Sequence, residues 1–166
     1  MELAFAAVGV ADVALRTSSK LWRLCEVWRD APADIHLLRD EICRAREFFE
    51  EVARTIEDSQ ETFRLPADGT HYPKVWAAKS TEELTLLIGR GRDVLGSMEG
   101  LIAAVVDEDD DEPGSLLPPL ATRRKALWLM KRRRAASLVK ELKNVVMGIC
   151  ASLLNLNLWA SLFSCL

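Results

Sequence analysis

The stretch Ile35-His36-Leu37-Leu38-Arg39-Asp40-Glu41-Ile42-Cys43-Arg44-Ala45-Arg46-Glu47-Phe48-Phe49-Glu50-Glu51-Val52-Ala53-Arg54-Thr55-Ile56 decides the fold class. Ile35, Leu38, Ile42, Ala45, Phe49, Val52 and Ile56 recur at alternating three- and four-residue steps. An α-helix turns once every ~3.6 residues, so these positions share one face. The pairs Asp40-Glu41 and Glu50-Glu51 alternate with arginines at helix-surface spacing, which describes a solvated face laced with ion pairs. A strand would alternate at every second residue, and no part of the chain does so for long.

The same stepping recurs on either side. Val10, Val13, Thr17, Leu21, Leu24 and Trp28 form a first stripe. Leu84, Ile88, Gly91, Leu95, Met98, Ile102 and Val105 form a third. Leu138, Leu142, Val145, Ile149, Leu153, Leu156, Ala160 and Phe163 form a fourth. Four apolar stripes of similar length close around a single core, so the expected fold is an all-α four-helix bundle. Asp30-Ala31-Pro32 separates the first two helices, with Pro32 suited to a first turn. Ser80-Thr81-Glu82-Glu83 has the pattern of a capping box and is expected to start the third. Loops are expected at about 60–79 and 107–121, where Pro, Gly and acidic residues collect. Thr122 is expected to cap a short extra helix carrying Leu127, Trp128 and Met130. The last long helix then starts after Met130, because one helix from Thr122 to Ser164 would overhang its partners. No internal repeat is evident, and residues 1–166 read as a single helical-bundle domain.

Of the 166 residues, 49% are hydrophobic and 28% charged, the balance of a folded domain rather than a disordered one. The net charge of −3 conceals a split: residues 1–113 carry 24 acids and 13 bases, residues 114–166 nine bases and the single acid Glu141. Such a split suits an acidic partner, a membrane surface, or two parts of one fold attracting each other. Cys25, Cys43, Cys150 and Cys165 form no C-x-x-C pair and are expected to be buried, reduced thiols. The apolar opening Met1–Leu15 carries Glu2 and Asp12 where a secretory or mitochondrial leader avoids acids. The expected location is therefore cytoplasmic.

Candidates for chemistry are few. His36 and His71 have no Cys, Asp or Glu at metal-ligand spacing, so no metal and no catalytic residue is expected. Gly89-Arg90-Gly91-Arg92-Asp93-Val94-Leu95-Gly96 lacks the Gly-Lys-Ser/Thr ending of a phosphate loop. Its glycines, with Gly100, are expected to admit a neighbouring helix. The acidic run Asp107–Glu112 lacks the spaced ligands of a calcium loop and reads as a solvated linker. The basic run is the strongest signal: Arg123, Arg124, Lys125, Lys131, Arg132, Arg133 and Arg134 flank Ala126–Met130, which includes Trp128. It suits a solvated helix junction, or an anionic lipid surface at about 1 kcal/mol per basic residue. Nucleic acid is disfavoured by the acidic remainder of the chain. The uncharged tract 144–166 is long enough for a membrane anchor, at about 1.5 Å per residue. Asn155 and Asn157 within it, and the unbroken stripe from Leu138, favour a bundle helix.

The segments Ala7–Trp22 and Arg29-Asp30-Ala31-Pro32-Ala33-Asp34-Ile35 with Leu38 resemble the N-terminal domain of fungal STAND, or NOD-like-receptor-type, proteins. Trp128 followed by basic residues and then Leu138, Leu142 and Leu153 resembles the end of the same domain. That family is similar to the HeLo and HeLo-like cell-death domains, and more distantly to the executioner bundles of necroptosis and plant resistance. The resemblance implies a HeLo-like helical bundle with no enzyme activity, and no cofactor is expected. It implies a signalling or cell-death effector of innate-immunity or heterokaryon-incompatibility type, working by oligomerisation and membrane association. Membrane phospholipids, further copies of the chain and a NOD-like receptor are the partners it implies, and nucleic acid is not among them. The protein would relocate from cytoplasm to plasma membrane. Leu3, Phe5, Val8, Val10, Val13 and Leu15 are then the expected inserting residues. Arg123, Arg124, Lys125, Trp128, Lys131, Arg132, Arg133 and Arg134 are the expected lipid or partner contacts. A plain adaptor that docks a partner helix is the alternative.

Overall fold

The computed structural model describes the backbone of residues 2–28, 31–62, 78–106 and 120–164, and the side chains of 3–26, 28, 31–58, 81–105 and 122–155. Four α-helices follow in order: α1 (Glu2–Val27), α2 (Ala33–Thr62), α3 (Ala78–Val106) and α4 (Leu120–Ser164). The acidic run, His71, Cys165 and the side chains of Leu156, Ala160 and Phe163 lie outside the described residues. Pro32 stands directly before α2, and its carbonyl accepts the Ile35 amide at 2.9 Å. Asp34 in the first turn of α2 faces the positive end of the helix dipole.

Every residue of the first three stripes is buried, from Val10 to Val105. Thr17, fully buried among them, donates its hydroxyl to the Val13 carbonyl at 2.7 Å. Its polarity therefore costs the core no unpaired group. α1 lies against α2 and α3, and α4 against α3 and, more loosely, α2. Trp22 stacks on Arg39 while Val8 and Leu15 share a cleft with Glu50 and Glu57, so α1 and α2 are antiparallel. Arg90 pairs with Glu141 and Leu87 meets Gly148, so α3 and α4 are antiparallel too. Lys20 pairs with Glu99, and Val13 and Arg16 share a cleft with Arg92 and Asp93, so α1 and α3 run parallel. Trp128 bonds Asp34 and Lys143 bonds Glu41, so α2 and α4 run parallel as well. The ring order is α1–α2–α4–α3, with α2 and α3 at opposite corners.

Two boundaries differ from expectation. α3 starts at Ala78, so Ser80 and Thr81 lie inside its first turns instead of capping it. More consequentially, among the described residues there is no separate short helix before the last one: α4 is continuous from Leu120 to Ser164. From Leu120 to Met147 the chain contains neither Gly nor Pro, and good helix formers dominate Arg123–Ala136. Nothing there ends a helix. The inward stripe of α4 also begins earlier than Leu138, with Arg124, Trp128 and Ala135 buried and Lys131 half-buried. The buried span Arg124–Ser152 is about 42 Å long, matching α2 and α3 at about 44 Å. The length that overhangs its partners is thus not a reason to break the helix.

The cysteines are less buried than expected. Cys25 and Cys43 are half-buried free thiols, and Cys150 is exposed on α4. Of the α3 glycines, Gly91 alone admits a neighbour closely, a Phe49 ring, while Gly89, Gly96 and Gly100 face open space. The pairs Arg46–Glu50 and Arg54–Glu51 lace α2 as expected of a solvated face, while Arg44–Glu41 lies beside α4.

Candidate functional site

Two surfaces carry the residues singled out in the sequence. The first is the N-terminal half of α1. Its inward face is made of Leu3, Ala4, Ala7, Val10, Ala11, Val13 and Ala14, all buried. The six expected inserting residues therefore divide: Leu3, Val10 and Val13 face the core, while Phe5, Val8 and Leu15 face outward at 70%, 49% and 41% exposure. None of the largest fully buried side chains precedes Leu21. A fully buried Val, Leu, Ile or Phe contributes about 1.5–3 kcal/mol, and an alanine methyl much less. The first four turns of α1 are thus held by smaller side chains than α2, whose Ile35, Ile42, Phe49 and Ile56 are wholly buried. Asp12, the only charge between Glu2 and Arg16, sits on the exposed side and pairs with Arg16 at 3.5 Å.

The outward residues are ordered. Phe5, Val8, Asp12, Leu15, Ser19 and Trp22 are all exposed and follow three- and four-residue steps, forming a second, outer stripe. Trp22 ends it, donating to Glu26 at 2.9 Å and lying 5.4 Å from the Arg39 guanidinium. A hydrogen bond to Asp40 holds that guanidinium above its ordinary pKa. Nearby, burial pushes the Cys25 thiol up, against an opposing effect of Arg39.

The second surface is α4. The eight basic-cluster residues do not form one patch. Arg124 and Trp128 are buried, at 4% and 1% exposure. Arg123 and Lys131 are half-buried, and Lys125, Arg132, Arg133 and Arg134 are exposed. Trp128 is held to α2, its indole N–H directed at Oδ2 of the exposed Asp34 at 3.4 Å. The apolar residues at the surface here are Leu129 and Met130, which sequence periodicity had placed beside Trp128 without separating them from it.

Where α2 and α4 meet loosely, a groove of about 480 Å³ opens. Leu37, Leu38, Trp128, Ala135, Ala136 and Val139 line its apolar part, with Asp34 and Glu41 on the α2 side and Arg132, Arg133 and Lys143 on the α4 side. A second hollow of about 310 Å³, with Ala45, Phe48, Leu142, Val146 and Met147, continues it along the same two helices. Lys143 bridges the two, bonding Glu41 at 3.0 Å. No motif announced this groove. It arises because α2 and α4 are neighbours in space, which no single stripe encodes.

Among the described residues no cluster of His, Cys, Asp or Glu could hold a metal ion. Among them, too, no helix is long and apolar enough to cross a membrane. The chain matches no family model, no curated protein and no solved structure. The arrangement offers surfaces for association: an apolar stripe, a basic helix face, and an apolar groove between opposite charges.

Proposed function

We propose that this chain is a non-enzymatic signalling or cell-death effector domain of HeLo-like type, which oligomerises and associates with membranes through α1. The observation that supports it is the two-sidedness of α1. Its first four turns are apolar on both faces but for Asp12, yet the inward face is mostly small. Local opening draws on the least firmly packed parts of a fold. Once free, such a helix has apolar residues to place in a lipid interface, while Arg132, Arg133 and Arg134 meet anionic headgroups. The protein would act from the cytoplasm and move to the plasma membrane. A NOD-like receptor is the upstream partner this reading invokes.

The test is dye release from phosphatidylcholine vesicles containing phosphatidylserine. The full chain should release dye, and a Phe5→Glu, Val8→Glu variant should not, at unchanged helicity. Both positions are exposed, so the variant keeps its core. Absence of release by the full chain would overturn the reading. The α2/α4 groove supports the second reading, an adaptor that docks a helix without touching membrane.

A further inference from the structure

We infer that the chain associates with itself head to tail, the outer stripe of α1 in one molecule seating in the α2/α4 groove of the next. This assembly is the oligomer that the effector reading invokes. Its contact surfaces belong to the folded bundle, so it is measured without any membrane.

Stripe and groove match in length. Phe5, Val8, Leu15 and Trp22 form an exposed ridge on α1, with Trp22 56% exposed and Val8 and Leu15 also walling the cleft against α2. From Phe5 to Trp22 the ridge is about 26 Å long. The groove and its continuation run from Asp34 to Phe48 on α2, about 21 Å, and from Trp128 to Met147 on α4, about 28 Å. An amphipathic helix laid between two helices uses apolar anchors at this three- and four-residue spacing.

Charge favours a second copy as the occupant. Along the groove and its continuation Arg44, Arg132, Arg133 and Lys143 outnumber Asp34 and Glu41. Beside the ridge, Asp12, Glu26, Glu50 and Glu57 outnumber Arg16, Arg39 and Arg54. The acid-rich border of the ridge thus meets the basic α4 wall of the groove across molecules. Complementary potentials of this kind steer association and fix register. Because ridge and groove are different patches of one molecule, the contact leaves a free ridge at one end and a free groove at the other. Such heterologous contacts build rings or filaments instead of closed pairs.

The test is sedimentation velocity on the full chain and two variants. Trp22→Glu spoils the ridge outside the proposed inserting segment, and Ala136→Trp fills the groove. Leu15→Glu and Leu37→Glu repeat the two changes at other exposed positions, and circular dichroism checks that each variant remains helical. The full chain should form species larger than dimers as concentration rises to about 1 mM. Each variant alone should be monomeric. Mixed one to one, Trp22→Glu offers its intact groove to the intact ridge of Ala136→Trp, and a dimer that grows no further should appear. A full chain that stays monomeric, as expected if the groove serves a foreign helix, would overturn the inference. So would variants that assemble normally, or a mixture that stays monomeric as for one self-complementary patch. Dye release that fails while the mixing result holds counts against the membrane reading alone.

Discussion

Gly91 of α3 lies against the ring of Phe49 of α2, and a Cβ built at Gly91 would stand 2.7 Å from Phe49 Cζ. These helices occupy opposite corners, so the contact spans the bundle centre. Phe49 is fully buried and braced edge-on by Phe48, with ring centroids 5.6 Å apart. Gly91→Ala gains about 1 kcal/mol of helix propensity but overpacks a site that cannot yield, at about 1–3 kcal/mol. Net destabilisation is expected, lowering the melting temperature by a few degrees. Gly96→Ala on the same helix meets open space and should raise it by about 2–4 °C. Thermal unfolding of the two variants side by side checks the pair, and a rise for both would contradict the close approach.

Trp128 and its neighbours should separate core from surface. Trp128→Ala removes a buried indole and its bond to Asp34, and is expected to cost about 3–5 kcal/mol. Leu129→Ser and Met130→Ser change exposed side chains and should leave stability within about 0.5 kcal/mol. On the effector reading they weaken vesicle binding instead. Denaturant titration together with vesicle co-sedimentation reads both quantities. Equal destabilisation by all three would mean that α4 presents a different face.

The stripes of α1, α2 and α3 were legible because each uses apolar residues at every inward step, with Thr17 and Gly91 as the small exceptions. The start of α4 was not. Its inward positions are Arg124, Trp128, Lys131 and Ala135, so two cations and one methyl interrupt the apolar signal while the helix itself continues. Trp128 read as a surface aromatic because its sequence neighbours are basic, yet rotation about the helix turns it inward and leaves Leu129 outside. The outer stripe of α1 was present in sequence as Phe5, Val8 and Leu15, but its inward and outward members separate only once the packing of Ala4, Ala7 and Ala11 against the core is known. The groove depends on α2 and α4 running side by side, a property of helix order around the bundle that periodicity does not contain.

Arg132, Arg133 and Arg134 are the exposed core of the basic cluster. At about 1 kcal/mol for each base near an anionic surface, changing all three to Gln should weaken vesicle affinity about 100-fold. Raising ionic strength from 0.1 to 1 M shortens the screening length from about 10 to about 3 Å, and should weaken binding of the unmodified chain as well. Vesicle titrations at two salt concentrations measure both effects. Salt-independent binding would assign the affinity to apolar contacts alone.

Thiol labelling should report which faces are covered. With Cys165 replaced by Ser, Cys25, Cys43 and Cys150 are the remaining free thiols. Thiolate is the reacting form, so reactivity follows exposure and acidity. Cys150 is exposed on α4 and should react first. Cys25 is half-buried, and burial raises its pKa, which lowers its thiolate fraction at any pH below that value. Its labelling should therefore be slower than that of Cys150 near pH 8, and the gap should narrow as pH rises. The neighbouring guanidinium of Arg39 acts in the opposite sense, so Arg39→Gln should slow Cys25 further and leave Cys150 unchanged. Mass-spectrometric time courses at two pH values read each site separately. Faster labelling at Cys25 than at Cys150 would mean that the α1/α2 seam opens more readily than the outer face of α4 is reached.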